Sequence, residues 1–302
     1  HRDATNARYH HTRESFYYAA DLLDLNEKEA DERAFQMLKR LVALQDTLET
    51  SPTLGVWPYY PQEPLATKIS PPDYNWADFC ATGILDALMR HGDRIPADLK
   101  QKLKRALYLA ARSVEKRDVD LSYTNIAIMG TYVTYMTAHL LDVEDMKVYG
   151  NDRLNRIYNY TLKKGGITEY NSPTYTITAL DELQRMRQHI MAKDARPKID
   201  SLYHIAWDAI ARHYHKPTAQ WAGPHSRVYD SPVRTSFYRL LNFASEGKID
   251  LGYKSEYNHY KMNHRIPDDL LSYFISPEYP RIEFDVFDNQ APQITVTTYL
   301  IE

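Results

Sequence analysis

Residues 74–117 read YNWADFCATGILDALMRHGDRIPADLKQKLKRALYLAARSVEKR, and this stretch decides the fold. Ala81, Ile84, Leu85, Leu88 and Met89 recur at helical spacing, as do Leu99, Leu103, Ala106, Leu107, Ala110 and Val114. Pro96 stands just ahead of the second stripe, where a helix start tolerates it. The connection HGDRIP is short, so the spacing predicts two antiparallel neighbouring helices. The first is poor in charge and expected to be buried on most sides. The second is amphipathic and expected to show one face to water.

The same unit recurs along the chain. A tyrosine and an asparagine open a helix at Tyr74-Asn75, at Tyr123 and Asn125, and at Tyr170-Asn171, the asparagines falling 50 and 46 residues apart. Each opening precedes a charge-poor helix, a turn and a charge-rich helix. An earlier pair, at about 12–25 and 28–50, keeps that order and holds the stripe Phe35, Leu38, Leu41, Val42 and Leu48. A period of this size belongs to helical-hairpin repeats. Alternation of buried and half-exposed helices predicts an inner ring wrapped by an outer one, an incomplete (α/α) toroid; an open solenoid is the competing shape. Leu121–Leu141 lacks Asp, Glu, Lys and Arg, which raises the question of a membrane span. It carries Ser122, Asn125, four threonines and His139, so a helix buried in a soluble assembly is expected and no membrane partner.

Beyond Pro217 the texture changes. Turn residues Gly223, Pro224 and Pro232 mark a mixed segment, and Ile282, Phe284, Val286 and then Ile294, Val296, Thr298, Leu300 alternate as strands do. The expected organisation is a mainly α chain: a toroid over 1–217, a mixed loop and helical segment over 218–271, and the start of a β domain over 272–302. His1 opens the chain without methionine or apolar leader, and it closes on QITVTTYLIE, so a processed, longer parent protein is expected.

Composition excludes several functions. Ten glycines in 302 residues, without a P-loop or G-x-G-x-x-G, argue against a glycine-cradled nucleotide. Net charge of −3 removes the basic field that nucleic acid requires. Cys80 alone permits neither an intrachain disulfide nor a cysteine zinc cluster. The pairs His10-His11, His213/His215 and His259/His264 are close without metal spacing, and no metal site is expected. What stands out is 25 tyrosines against 8 phenylalanines.

Part of that excess falls where chemistry is expected. Helix openings at one mouth of a ring would share a surface, bringing together Asn75, Trp76 and Asp78, Tyr123 and Asn125, and Glu169, Tyr170, Asn171 and Tyr175. The loop GVWPYYPQEP adds Trp57, Tyr59 and Tyr60. Aromatic faces beside amides suit a carbohydrate, whose C–H faces stack while its hydroxyls need donors and acceptors. The asparagines have a plainer alternative as helix caps. A second loop, GPHSRVYDSPVR, gathers His225, Arg227, Tyr229 and Arg234; its alternative is a surface loop of ion pairs.

The inner/outer helix pairing, YNWADF, SYTN, EYNSPTY and the following β segment resemble the toroidal polysaccharide lyases, the group with heparinase II/III-like, alginate and chondroitin AC-type enzymes. The likeness spans about two thirds of the chain and is architectural; SYTNIAIMG lacks the Asn-His pair that several of those lyases carry. The resemblance implies a β-sandwich after the toroid, export to the periplasm or exterior, and β-elimination of a uronic-acid polysaccharide. Asn125, Asn171 and Arg227 would neutralise the uronate carboxylate. His225 or a tyrosine would take the C5 proton, and Tyr229 or Tyr170 would protonate the leaving O4. Trp57, Tyr59, Tyr60, Asn75, Trp76, Tyr123, Glu169, Tyr175 and Arg234 would bind substrate, and no cofactor is required. The competing functions are a glycoside hydrolase using Asp78 and Glu169, and a non-catalytic glycan-binding scaffold.

Overall fold

A computed structural model describes residues 9–229, 233–253, 262–286 and 288–301. His259 and Pro232, singled out above, lie outside the described residues. The protein is mainly helical, with two small antiparallel sheets in its C-terminal third. The helices are α1 (Thr12–Asp24), α2 (Lys28–Val42), α3 (Asn75–His91), α4 (Ala97–Arg117), α5 (Thr124–Leu141), α6 (Glu144–Lys164), α7 (Pro173–His189), α8 (Arg196–His213), α9 (Thr235–Ala244) and α10 (Ser272–Ile275). Strands β1 (Tyr214–His215) and β2 (Gln220–Trp221) form one hairpin, β3 (Arg281–Val286) and β4 (Thr295–Leu300) the other. Among the described residues, no helix is long and apolar enough to cross a membrane.

The chain divides into two compact units, one of residues up to 119 with 129–152, the other of residues 120–128 with those from 153 onward. In the first, α1 packs on α2 and α3, and α4 packs on α3 and α2. Two layers result. The charge-poor α3 buries Trp76 through Leu88 almost without interruption, Phe79 excepted, whereas α4 buries only the stripe Leu99, Leu103, Ala106, Leu107, Ala110, Ala111 and Val114. Close approach of α1 to α3 depends on Gly83, where an added Cβ would stand 2.7 Å from the Phe16 Cβ. Met89, at the end of the α3 stripe, is exposed.

One helix is shorter than its pattern. The second stops at Val42 rather than near residue 50, and Leu48 is exposed. Asp46 explains the stop: its carboxylate accepts from the Leu48 amide at 3.0 Å, from Thr53 Oγ1 at 2.6 Å and from Ser51 Oγ. Its backbone meanwhile pairs with Gly55 and Val56. A short polar side chain that satisfies the backbone locally competes with helix propagation.

In the second unit α7 packs on α8, and α8 contacts α10. Ser272–Ile275 is a helical turn burying Phe274, so strand structure begins at Arg281. In the β3–β4 ladder Arg281 pairs with Leu300 and Val286 with Thr295. Its faces are exchanged relative to ordinary amphipathic strands: Ile282 and Phe284 are 59% and 58% exposed, while Glu283 and Asp285 are 8% and 9% exposed. Cations demand this. Arg212 on α8 binds Glu283 Oε2 at 2.9 Å and Asp285 Oδ1 at 2.5 Å, and Arg281 meets Glu283 Oε1 at 3.1 Å.

Candidate functional site

In the first unit, the loop carrying Trp57, Tyr59 and Tyr60 meets the starts of α1 and α3. Tyr59 lies 3.9 Å from the Trp76 ring centroid, and Tyr60 4.6 Å from that of His11. Asp73 fixes the entry to α3 by accepting from the Asn75 amide at 2.9 Å and from the Tyr59 hydroxyl at 2.7 Å. Two expected sugar-binding rings are withdrawn from the surface. Trp57 is 1% exposed, donates its indole N–H to the Leu41 carbonyl at 2.9 Å and meets Phe16 edge-on. Trp76 is buried with its N–H on Thr12 Oγ1 at 2.7 Å. Asn75 takes Arg117 as a donor, and the same arginine stands 3.7 Å from the buried Asp78. Of this group, Tyr59 and Tyr60 keep partly open faces.

The second unit assembles a denser set. Glu169, ahead of α7, receives the Asn125 backbone amide from the first turn of α5 and the Arg227 guanidinium at 3.1 Å. Arg227 lies 4.5 Å over the Tyr175 ring, and the hydroxyls of Tyr175 and Tyr229 are 2.9 Å apart. Backbone geometry aims this loop: Arg227 sits at φ +50°, a left-handed conformation that non-glycine residues adopt rarely. Glu169 Oε2 and Asn125 Oδ1 are buried with no partner among the described residues.

The environment separates the acidities. Burial pushes the Glu169 carboxyl up, against the pull of Arg227. Burial and the bond to Tyr229 carry the Tyr175 phenol up to about 12. Tyr229 moves the other way, lowered by the hydrogen bond from Tyr175 and by Arg227. It is 59% exposed, so the phenol that deprotonates more readily is the one facing solvent. Two adjoining phenols pushed apart in acidity make a proton donor and a proton acceptor.

Three expected catalytic residues serve instead to hold this loop. Asn171, at φ +47°, donates to the Ala222 and Pro224 carbonyls at 2.8 Å each and accepts from the Trp221 indole. Its amide is therefore spent on the chain, because Nδ2 has two donors and both are used. His225 turns Nδ1 to the Asn171 carbonyl at 2.8 Å and Nε2 to the Trp221 carbonyl at 3.0 Å. Both ring nitrogens thus face backbone carbonyls of the chain. Tyr170 donates to Asp285 at 2.9 Å beside His213, and burial drives its phenol far above the ordinary value. Its own carbonyl accepts from the Ser226 amide and hydroxyl at 3.1 and 2.7 Å. Arg234 is exposed at the start of α9.

None of the three repeated asparagines is the residue whose side chain caps its helix. Asn75 and Asn125 lie inside α3 and α5, and Ser172 caps α7 by accepting from the Tyr175 amide at 3.4 Å. Sequence reasoning missed Arg212, Glu283 and Asp285, and weighed His213 only as a metal ligand beside His215. The signal was present: in RIEFDV the charges alternate as strictly as the apolar residues. Among the described residues, no group of three or more His, Cys, Asp or Glu side chains is placed to hold a metal ion.

The described residues form a mainly helical chain whose second unit carries a tyrosine–arginine–carboxylate cluster. The chain belongs to the family described as Domain of unknown function (DUF8769), whose family model matches residues 1–265. No curated protein and no solved structure matches it. The match includes every residue of the cluster and ends ahead of β3.

Proposed function

We propose that this protein is an exported polysaccharide lyase that cleaves a uronic-acid-containing glycan by β-elimination. The observation that carries the reading is the Tyr175–Tyr229 pair beside Arg227, with Tyr229 exposed and lowered in pKa. On this reading the four helical hairpins form an incomplete (α/α) toroid and β3–β4 begins a β-sandwich, as in the lyases that the sequence resembles.

The chemistry follows from the cluster. A proton α to a carboxylate is too weakly acidic to remove until that carboxylate is neutralised and the developing enolate is met by fixed donors. Arg227 spends part of its guanidinium on Glu169 and has further N–H donors for a substrate carboxylate, and its side chain is half exposed. The Asn125 amide adds a neutral donor. Tyr229 as phenolate takes the proton from C5; the C–H electron pair forms the C4–C5 double bond, and the C4–O4 bond breaks. Tyr175, held protonated, returns a proton to O4 through its contact with Tyr229. Glu169, raised in pKa, keeps Arg227 in place.

The test is incubation with a panel of uronate polymers while following absorbance of the unsaturated uronate. Tyr229→Phe is expected to reduce turnover by about 10²–10⁴-fold, the usual scale of a lost acid–base group. Reducing ends without absorbance gain would point to hydrolysis and overturn the reading.

A further inference from the structure

The second unit has another recess that the elimination cluster does not use. It lies among the α6–α7 loop, α8 and the end of β3, with Tyr170 in its wall. Its charged groups are matched with one exception. Lys164 binds Asp288 at 2.5 Å, Arg212 holds Glu283 and Asp285, and His213 stands 3.1 Å from Asp285. Asp208, on α8, lines the same recess with no hydrogen bond or ion pair among the described residues. Beside it Ile167 and Ile205 give the wall apolar surface. Gly165 also lines it and lets Asn289 approach closely, since an added Cβ there would stand 2.7 Å from the Asn289 side chain.

We propose that this recess binds a neutral pyranose ring, whose adjacent hydroxyls donate to Asp208 while its C–H face rests on Ile205 and Ile167. A carboxylate accepts on two oxygens, which matches two neighbouring hydroxyls. Three features favour that ligand. Asp208 is the group in the wall still in need of donors, and burial, offset in part by Arg212 and His204, raises its pKa, as expected of a desolvated carboxylate without them. Asp285 and Asp288 beside it disfavour an anion, so a uronate is the wrong sugar here. The cations Arg212 and Lys164 are fixed in ion pairs nearby and disfavour an amine. The inference rests on the reading of the substrate as a glycan, and adds that the glycan presents a neutral hexose as well as a uronate.

The test titrates the whole chain with methyl hexosides, glucuronate and glucosamine, following amide resonances of Gly165, Gly166 and Ala209. Methyl hexosides are expected to shift these amides and glucuronate to leave them in place. Asp208→Ala is expected to weaken binding by about ten- to a hundredfold, the scale of lost hydrogen bonds to a charged group. Asp208→Asn, isosteric and uncharged, guards against a folding defect and should also bind more weakly. Binding unchanged in both variants, shifts confined to other residues, or a preference for glucuronate or glucosamine would overturn the proposal. Hexose binding without elimination activity would sink the lyase reading alone. Elimination without hexose binding would sink this inference alone.

Discussion

Arg227 and Tyr229 stand two residues apart, yet their roles in the proposed reaction rest on partners brought from far along the chain. Glu169 anchors the guanidinium and Tyr175 bonds the phenol. Tyr229 is lowered by both Tyr175 and Arg227, so Arg227→Met should raise its pKa. Elimination needs the phenolate, so its rate rises with pH through that value. The variant's pH–rate profile should therefore have its rising limb displaced to higher pH, with neutral-pH turnover reduced. An unmoved limb would remove Tyr229 as the base. Trp57 offers the opposite kind of residue. Buried with its N–H satisfied, it belongs to the core, and Trp57→Ala should cost about 3–5 kcal/mol in urea unfolding. Trp57→Phe, which keeps a ring in place, should leave activity on glycan unchanged. At this scale the sequence does not show surroundings: nothing in GVWPYYPQEP distinguishes the tryptophan that turns inward from the tyrosines that stay partly open.

Elements show why some patterns read correctly and others did not. The α4 stripe was legible because 3.6-residue periodicity reports burial directly, and nearly every residue in it is buried. Strand β3 misled because its buried face is ionic. A carboxylate there is tolerable only where a cation or donor meets it, and its partners Arg212 and His213 sit 71 or more residues earlier in sequence. Burial pushes Asp285 upward, but His213, Arg212 and Tyr170 together outweigh it and hold the group at about 2, below the ordinary 3.8. With the folded value under the unfolded one, its contribution is complete above pH about 4 and is lost as pH falls toward 2. The shift corresponds to about 2 kcal/mol. Asp285→Asn should lose about that much stability at pH 7 and little at pH 2, read from urea midpoints at both pH values. Equal losses at both would show that packing, and not charge, fixes β3 to α8.

Across the whole molecule, the order of charge-poor and charge-rich helices was legible from α3 to α6 but not in α7, where Asp181, Glu182, Arg185 and Arg187 stand in a helix expected to be poor in charge. The site was legible only in part. The Tyr–Asn repetition suggested equivalent positions, but Asn75 and Asn125 lie inside α3 and α5 while Asn171 stands ahead of Ser172, the cap of α7. Their partners differ as well: the first receives Arg117, the second is buried beside Glu169 and the third ties down the loop from Trp221 to His225. In the proposed reaction the Tyr229 phenol removes a proton from a uronate ring. Ultraviolet absorbance of uronate polymers incubated with the protein and with Tyr229→Phe reads that step. A steady gain is expected with the wild-type chain and one slower by about 10²–10⁴-fold with the variant; equal gains from both would remove Tyr229 as the base.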